Sequence, residues 1–287
     1  MPELPEVEVV KQSLKKYLIN KSLIKVIVKN KKLRFQIPQN FSKKLINRKI
    51  VNVKRVSKYI VVQFKFDCFL IIHLGMSGTL HIVRKNNSLN NTNLSFYSSK
   101  NLPKKHNHIY FILKNFSIIY NDPRRFGFIK LKNGKNNLKN YFKKLGPDPF
   151  KKKFNFNYFK KNLYKKKKNI KNVLIDQNFI SGIGNIYASE ILNYSKINPY
   201  KLSGNLNDNE INKIIFFAKK VLKYAIKRGG TTINNFHSIK GNPGSYQKEF
   251  RAYDRENNKC INKLCSGSII KLNISNRSTY MCNICQK

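Results

Sequence analysis

The chain has 287 residues, of which 41% are apolar, and this is enough for two modest domains with a small appendage. Its 58 basic and 13 acidic residues give a net charge of +45, which favours a polyanionic partner, most simply nucleic acid, although an AT-rich genome would explain part of the lysine excess. A membrane partner is disfavoured, because the sequence has no tryptophan, no basic helix with an aromatic anchor face and no apolar run long enough to span a bilayer.

The first eight residues, MPELPEVE, hold three of the 13 acids and lack the basic and apolar stretches of a signal peptide, so we expect a cytoplasmic protein. Removal of Met1 would leave Pro2 with a free secondary amine. Because an α-amino group titrates near pH ~8, a fraction of it is nucleophilic in the cell. Glu3 beside it is a candidate general acid or base. The structural alternative is a helix start, since apolar spacing predicts a helix from residue 6 to about 17.

Short β-rich runs follow this helix and are separated by Asn, Lys, Gly and Pro clusters, a pattern typical of a sandwich or barrel. The predicted strands are 23–28, 50–56, 59–64, 69–73, 79–83, 108–113, 117–120 and 128–131. The polar residues 86–100 are expected to form a long loop.

The Lys- and Asn-rich residues after about 133 indicate a linker that leads into helices. Helices are predicted at 170–179 and 185–194, joined by the glycine-containing turn 181–184. A further helix, which Asp208 would cap, ends at Gly229-Gly230.

Four of the five cysteines lie in the last 28 residues, which in a reducing compartment indicates a metal site and not disulfides. Cys260 and Cys265 are separated by four residues, Cys282 and Cys285 by two, and sixteen residues separate the pairs. Tetrahedral Zn²⁺ takes four thiolates from two tight turns, and a hairpin would join these turns. The predicted hairpin strands are 268–272 and 279–281.

Two loops carry residues suited to a DNA groove. In NDPRRFG, Phe126 could wedge between bases and Arg124 could fill the hole left by an extruded base, whereas the alternative is a tight turn with an Asp–Arg pair and a core Phe. In HLGMSG, Met76 offers a similar apolar finger, with core packing as its alternative. Composition alone does not single out Lys58 among 58 basic residues.

These segments together resemble the formamidopyrimidine-DNA glycosylase family, bacterial base-excision enzymes that are both DNA glycosylases and abasic-site lyases. The resemblance covers essentially the whole chain, and the start PELPEVE is its most specific part. The other matching segments are SKYIVVQF at 57–64, HLGMSG at 73–78, KKHNH at 104–108, NDPRRFG at 121–127, LGPDP at 145–149, SGIGNIYASEIL at 181–192, RGGTT at 228–232, GNPGSYQ at 241–247 and the cysteine array.

The resemblance implies an α+β multi-domain fold. Its parts would be an N-terminal helix and β-sandwich catalytic domain at 1–133, a linker at 134–153, a helix–two-turn–helix DNA-binding domain at 154–240 and a four-cysteine zinc-finger hairpin at 241–287. It also implies double-stranded DNA with a damaged base as the partner of a monomeric, nucleoid-associated enzyme with one structural zinc ion on Cys260, Cys265, Cys282 and Cys285.

The catalytic roles also follow from the resemblance. Pro2 would attack C1′ of the damaged nucleotide, Glu3 would protonate the opening sugar, and Glu6 would support the site. Lys58 and Arg277 would donate protons in the β- and δ-elimination steps. The residues implied in filling the duplex gap are Met76, Arg124 and Phe126, and those implied in contacting phosphates are His106, Arg124, Lys166, Asn185 and Arg277.

The sequence departs from the family pattern at two places, and two alternative functions remain open. The family usually has two residues in the first cysteine knuckle, and Asn234 stands where some relatives carry a lysine, so lesion contacts there do not carry over. A non-catalytic, basic nucleic-acid-binding relative is the first alternative, although it need not keep Pro2 and Glu3. An enzyme like endonuclease VIII, acting on oxidised pyrimidines, is the second, and Leu4-Pro5 disfavours it.

Overall fold

The computed structural model describes residues 2–84, 104–231 and 244–287. The predicted loop 86–100 and Asn234 therefore lie outside the described residues.

The chain divides into two compact units. The first comprises Met1–Lys143 and Arg228–Gln247, and the second comprises Lys144–Lys227 and Lys248–Lys287. The described helices contain no segment with both the length and the apolar character needed to cross a bilayer.

The first unit begins with helix α1, Leu4–Leu18, which starts two residues earlier than the apolar spacing predicted. Pro5 lies in the first turn, where the missing N–H costs no hydrogen bond. Glu3 and Glu6 form a capping box, in which each side chain accepts a hydrogen bond from the backbone N–H of the other. The buried face of α1 includes Val7, Val10, Leu14 and Leu18.

Eight strands of the first unit form two antiparallel sheets. Their bounds are β1 Lys25–Val28, β2 Ile50–Val56, β3 Tyr59–Phe64, β4 Cys68–His73, β5 Thr79–Arg84, β6 Asn107–Ile112, β7 Phe116–Asn121 and β8 Phe128–Asn133. One sheet has the order β1-β6-β7-β5 and the other β2-β3-β4-β8. The structure thus contains all eight predicted strands, and the first is shorter than predicted because Leu23 makes only an isolated bridge with Ile46.

The core of the first unit is a single cluster of apolar side chains from α1 and both sheets. Each fully buried aliphatic or aromatic side chain in such a cluster contributes about 1.5–3 kcal/mol. Helix α2, Lys135–Tyr141, follows β8 within the stretch expected to be a linker.

The second unit contains helices α3 Phe156–Leu163, α4 Ile170–Ile175, α5 Asn185–Ser195 and α6 Asp208–Lys227, followed by strands β9 Ile269–Ile274 and β10 Arg277–Cys282. The predicted helix 170–179 was too long. Helix α4 ends at residue 175 because the Asp176 carboxylate accepts the Asn178 N–H at 2.9 Å and starts a turn.

The predicted cap of α6 was wrong by one residue. Asn207 caps this helix, since its Oδ1 accepts the Glu210 N–H at 2.9 Å and its own N–H donates to Glu210 Oε2 at 2.9 Å. Asp208 lies in the first turn instead and pairs with Lys160 at 2.9 Å.

Strands β9 and β10 form an antiparallel hairpin with Ile274 opposite Arg277. The two residues between them, Ser275 and Asn276, have φ values of 51° and 58°, as a type I′ turn requires. The hairpin, the helical region and the sandwich confirm the predicted fold class.

Candidate functional site

The N-terminal arm of the first unit is buried and held by backbone hydrogen bonds. Pro2 is buried, and Glu3 and Glu6 are each 2% exposed. The Glu3 N–H donates to Glu6 Oε2 at 2.9 Å. The arm that carries the candidate nucleophile and the candidate acid is thus fixed to the first turn of α1.

The second carboxylate oxygen of Glu6 holds a segment that lies 225 residues away in the sequence. Glu6 Oε1 accepts the Thr231 N–H at 2.9 Å and the Thr231 hydroxyl at 3.1 Å. Gly230 has a φ of +78°, and a Cβ there would lie 2.9 Å from the same oxygen, so only glycine allows this close approach. One buried carboxylate therefore fixes both the N-terminal arm and residues 230–231.

Lys58 lies in the tight turn between β2 and β3 and is 5% exposed. The preceding Ser57 has a φ of 55°, and its carbonyl accepts a hydrogen bond from Arg55 at 3.0 Å. Arg55 also pairs with Glu8 of α1 at 2.8 Å. This ion pair links α1 to the strand that ends in the Lys58 turn.

His73 is a site residue that the sequence reasoning did not single out. It ends β4 opposite Tyr59, and burial, followed by the nearby Lys58 and Arg34, lowers its pKa to about 4. Its Nδ1 accepts the Gly75 N–H at 3.1 Å, as a neutral imidazole allows. The sequence signal for His73 was its position at the end of a predicted apolar strand, directly before a loop that contains glycine.

Asp122 organises the two loops that carry the candidate DNA-inserting residues. It is fully buried, and its carboxylate accepts hydrogen bonds from the Ser77 hydroxyl at 2.5 Å, the Tyr120 hydroxyl at 3.1 Å and the Gly127 N–H at 2.8 Å. The alternative of an Asp122–arginine pair is therefore wrong, because these three donors occupy the carboxylate. A Cβ on Gly75 would lie 2.3 Å from the Gly127 nitrogen, so the two loops touch through glycines.

The side chains proposed to enter DNA are exposed on these two loops. Met76 is 40% and Phe126 is 44% exposed, so neither is the core residue that the alternative interpretation required. Arg124 is exposed and lies over the Phe126 ring at 4.7 Å. His106 is half-buried in a short turn, and its carbonyl accepts the Asp122 N–H at 3.1 Å.

In the second unit, the turn between α4 and α5 is held by one glutamine. Gln177 donates to the carbonyls of Ile175 at 2.8 Å and Ile183 at 2.7 Å, and it accepts the Gly182 N–H at 2.8 Å. Gly184 is the N-cap residue of α5, so the first turn of this helix begins at this loop.

Lys166 and Asn185 both lie near this turn. The Lys166 ammonium is 5.0 Å from the centre of the ring of Phe179, which lies between α4 and α5. Asn185 begins α5 and donates its side-chain N–H to the Ser278 carbonyl at 2.8 Å.

Arg277 is exposed at the first position of β10, beside the hairpin turn. The next residue, Ser278, is anchored to the helices, because its carbonyl accepts hydrogen bonds from Asn185 and from the buried Lys171 ammonium at 3.1 Å. Lys171 also donates to the Thr279 hydroxyl. Helices α4 and α5 therefore fix the strand from which the Arg277 side chain projects.

The four cysteines converge at the base of the hairpin. Their sulfur atoms all lie within 4.8 Å of one another, with 3.8 Å between Cys260 and Cys285 and 3.5 Å between Cys265 and Cys282. Tetrahedral thiolate coordination with a metal–sulfur distance of ~2.3 Å places sulfurs ~3.8 Å apart. The cluster can therefore hold one metal ion.

The longer first knuckle does not prevent this convergence. The Cys265 N–H donates to the Asn262 carbonyl at 3.1 Å, which closes a turn inside the loop. Leu264 has a φ of 61° there and is fully exposed. The extra residues thus form an outward turn and return Cys265 to the cluster.

Comparison with known protein families identifies two matching models. Residues 1–129 match the formamidopyrimidine-DNA glycosylase N-terminal domain, and residues 145–237 match the formamidopyrimidine-DNA glycosylase H2TH domain. Together the two models cover more than half of the chain.

Curated relatives and solved structures agree with these models. Formamidopyrimidine-DNA glycosylases of Rickettsia bellii and Rickettsia felis are 39% and 40% identical to the chain, which is covered completely, as are 100% and 98% of the relatives. A Lactococcus lactis FPG mutant in complex with Fapy-dG containing DNA superposes with a TM-score of 0.87 at 29% identity, covering 100% of both chains. The Lactococcus lactis Fpg bound to DNA with an abasic site gives a TM-score of 0.86 at 29% identity over 99% of both chains.

Proposed function

Because the chain belongs to the formamidopyrimidine-DNA glycosylase family and is therefore a base-excision repair DNA glycosylase with abasic-site lyase activity, we propose that it removes oxidised purines through an imine on Pro2. The proposed substrates are 8-oxoguanine and formamidopyrimidines in double-stranded DNA. The solved neighbour in complex with Fapy-dG DNA supports this choice.

The first step is nucleophilic attack by the Pro2 nitrogen on C1′ after removal of Met1. The glycosidic bond breaks, the base leaves with a proton, and Glu3 protonates the ring oxygen as the sugar opens to give an iminium. The observation that carries this assignment is the buried Glu6 carboxylate, which holds the Glu3 N–H at 2.9 Å and so restricts where the Pro2 nitrogen can lie.

The second step is strand cleavage. The iminium makes the C2′ proton acidic, so that its loss to solvent breaks the C3′–O bond and expels the 3′ phosphate, with Lys58 as the proton donor of this β-elimination. Loss of the C4′ proton to solvent then breaks the C5′–O bond and expels the 5′ phosphate, with Arg277 as the proton donor. The near-complete burial of Lys58 and the exposure of Arg277 on an anchored strand fit an ammonium close to the reacting sugar and a guanidinium that reaches a phosphate.

The remaining residues are proposed to bind the damaged duplex. Met76, Arg124 and Phe126 fill the space left by the extruded base, since aromatic and arginine side chains replace the lost stacking. Phosphates are contacted by His106, Arg124, Lys166, Asn185 and Arg277. The net charge of +45 makes this binding strongly salt-dependent.

We assign the metal of the cysteine cluster as zinc with a structural role. Four thiolates at sulfur separations of 3.5 and 3.8 Å suit a closed tetrahedral site, which leaves no open position for chemistry. Cys260, Cys265, Cys282 and Cys285 would hold the hairpin closed and Arg277 in place. Elemental analysis should find one zinc per chain, which Cys282→Ser should lose.

Residues 1–133 are assigned the imine chemistry, and residues 154–240 are assigned binding of the DNA backbone. Residues 241–287 would hold Arg277 in position. The enzyme would act as a monomer on the bacterial chromosome, and hence in the cytoplasm at the nucleoid. Light scattering of the purified protein should give a mass near 33.7 kDa.

The test uses single-lesion duplexes with 8-oxoguanine, formamidopyrimidine or an oxidised pyrimidine. We expect cleavage of the two purine lesions and a covalent adduct on borohydride reduction. Pro2→Gly should lose most of the adduct, and Pro5→Ala, which changes a proline whose nitrogen is within the chain, should retain it. Preference for the oxidised pyrimidine would support activity like that of endonuclease VIII, and salt-sensitive binding without cleavage would support a non-catalytic protein.

A further inference from the structure

The loop between the first two cysteines carries a buried polar side chain that touches the cysteine cluster. Asn262 is 7% exposed, and its Nδ2 lies 3.1 Å from Cys285 Sγ. Its Oδ1 accepts a hydrogen bond from the Arg251 guanidinium. Asn262 is one of four residues between Cys260 and Cys265, two more than the family usually has.

The chemistry of the two partners fixes the orientation of the Asn262 amide. A guanidinium has only donors, so the amide oxygen must face Arg251. The amide NH₂ group must then face the sulfur, where it can donate to a thiolate but gains little from a neutral thiol. The geometry therefore points an N–H donor of Asn262 at the Cys285 sulfur.

Arg251 is itself held firmly by helix α5. Its backbone N–H donates to Glu190 Oε2 at 2.9 Å, and the next two N–H groups, of Ala252 and Tyr253, donate to Glu190 Oε1 at 2.9 and 2.8 Å. The Arg251 guanidinium lies over the Tyr194 ring at 4.3 Å. Arg251, which donates to Asn262, therefore has its backbone fixed by Glu190 and its guanidinium placed by the Tyr194 ring.

We propose that Arg251 and Asn262 form a brace that orients Cys285 for the metal ion and offsets the charge of the thiolate cluster. The proposal rests on the metal centre proposed above. Four thiolates around a divalent ion leave two net negative charges, which N–H donors such as the Asn262 amide stabilise. Partners of this kind behind a metal ligand typically change metal affinity ~10–100-fold. Both residues are positioning residues, because neither reaches the reacting DNA.

The test measures metal release from the full-length, zinc-loaded protein. Asn262→Leu keeps the side-chain shape and removes the donor, so zinc transfer to a chromophoric chelator should become about tenfold faster. The matched control is Lys263→Ala, an exposed neighbour in the same loop, which should release zinc at the wild-type rate. Cobalt-loaded protein gives a second readout, because the sulfur-to-cobalt absorption bands of Asn262→Leu should shift and those of the control should not.

A double variant tests whether Arg251 acts on the metal site through Asn262. Arg251→Ala should speed release, and Arg251→Ala with Asn262→Leu should release zinc no faster than Asn262→Leu alone, because both changes remove the same contact. Equal release from the wild type and both single variants would overturn the brace but not the metal centre. A wild-type protein that binds no metal would overturn both, and additive effects in the double variant would overturn the link between the two residues.

Discussion

Replacement of Glu6 by glutamine tests how the N-terminal arm is positioned. The carboxylate accepts three hydrogen bonds, from the Glu3 N–H and from the N–H and hydroxyl of Thr231, at 2.9–3.1 Å. The glutamine oxygen can retain both Thr231 donors, but its NH₂ group then opposes the Glu3 N–H. Loss of one hydrogen bond to a charged acceptor, with a buried N–H left unpaired, costs about 2–4 kcal/mol.

Part of this cost is expected to appear as displacement of Glu3 and Pro2. A misplacement of ~1 Å at a reacting atom can reduce a rate ~10²-fold. We therefore predict that Glu6→Gln slows formation of the reduced imine adduct on 8-oxoguanine DNA by about 10–100-fold in single-turnover trapping.

The matched control for Glu6→Gln is Asp67→Asn. It makes the same charge change in the same unit, at a partly exposed position 3.7 Å from Lys135, and Asn tolerates the φ of 48° found there. The control should trap at the wild-type rate. Trapping by Glu6→Gln at the wild-type rate, with an unchanged melting temperature, would show that the Glu6 carboxylate does not position Glu3 and Pro2.

Three further changes have defined outcomes. Asp122→Asn should destabilise the protein by about 2–4 kcal/mol in urea unfolding, because three donors lose a shared charged acceptor. It should also reduce excision of paired 8-oxoguanine, and an unchanged unfolding midpoint would contradict this role of Asp122. Arg277→Ala should leave β-elimination products at the 3′ end of the nick in place of phosphates, whereas unchanged 3′ phosphates would exclude Arg277 as the donor. Burial lowers the pKa values of His73 and His81 to about 4, and the nearby Lys58 and Arg34 add to the shift at His73. In the unfolded chain both histidines titrate near pH ~6.5, so between pH ~6.5 and pH ~4 the unfolded chain binds more protons than the folded protein. Stability therefore decreases as the pH is lowered through this range. Urea midpoints should show a loss of ~2 kcal/mol per histidine between pH 7 and pH 5, which His81→Gln should roughly halve and which a flat profile would contradict.

Local patterns in the sequence were sufficient for most of the elements. The bounds of β2 and β3 were predicted to the residue, because a short turn at Ser57-Lys58 separates two β-branched runs. The cap of α6 was misplaced, although Glu210, three residues after Asn207, provided the capping-box signal that distinguishes Asn207 from Asp208.

Long-range contacts could not be predicted in this way. Glu6 and Thr231 are 225 residues apart, and Ser77 and Asp122 are 45 apart, so no periodicity relates them. Asp122 appeared in the sequence only as part of a turn motif, whereas the structure makes it the shared acceptor of two loops. The contact of Asn262 with Cys285 likewise depends on how the longer knuckle folds.

The most direct test of the mechanism locates the covalent bond. The wild-type protein is reduced with borohydride on 8-oxoguanine DNA, digested with nuclease and protease, and the modified peptide is sequenced by mass spectrometry. We expect the sugar remnant on Pro2, at the start of a peptide that lacks Met1. A remnant on Lys58 or another lysine, or full turnover by protein that retains Met1, would contradict it.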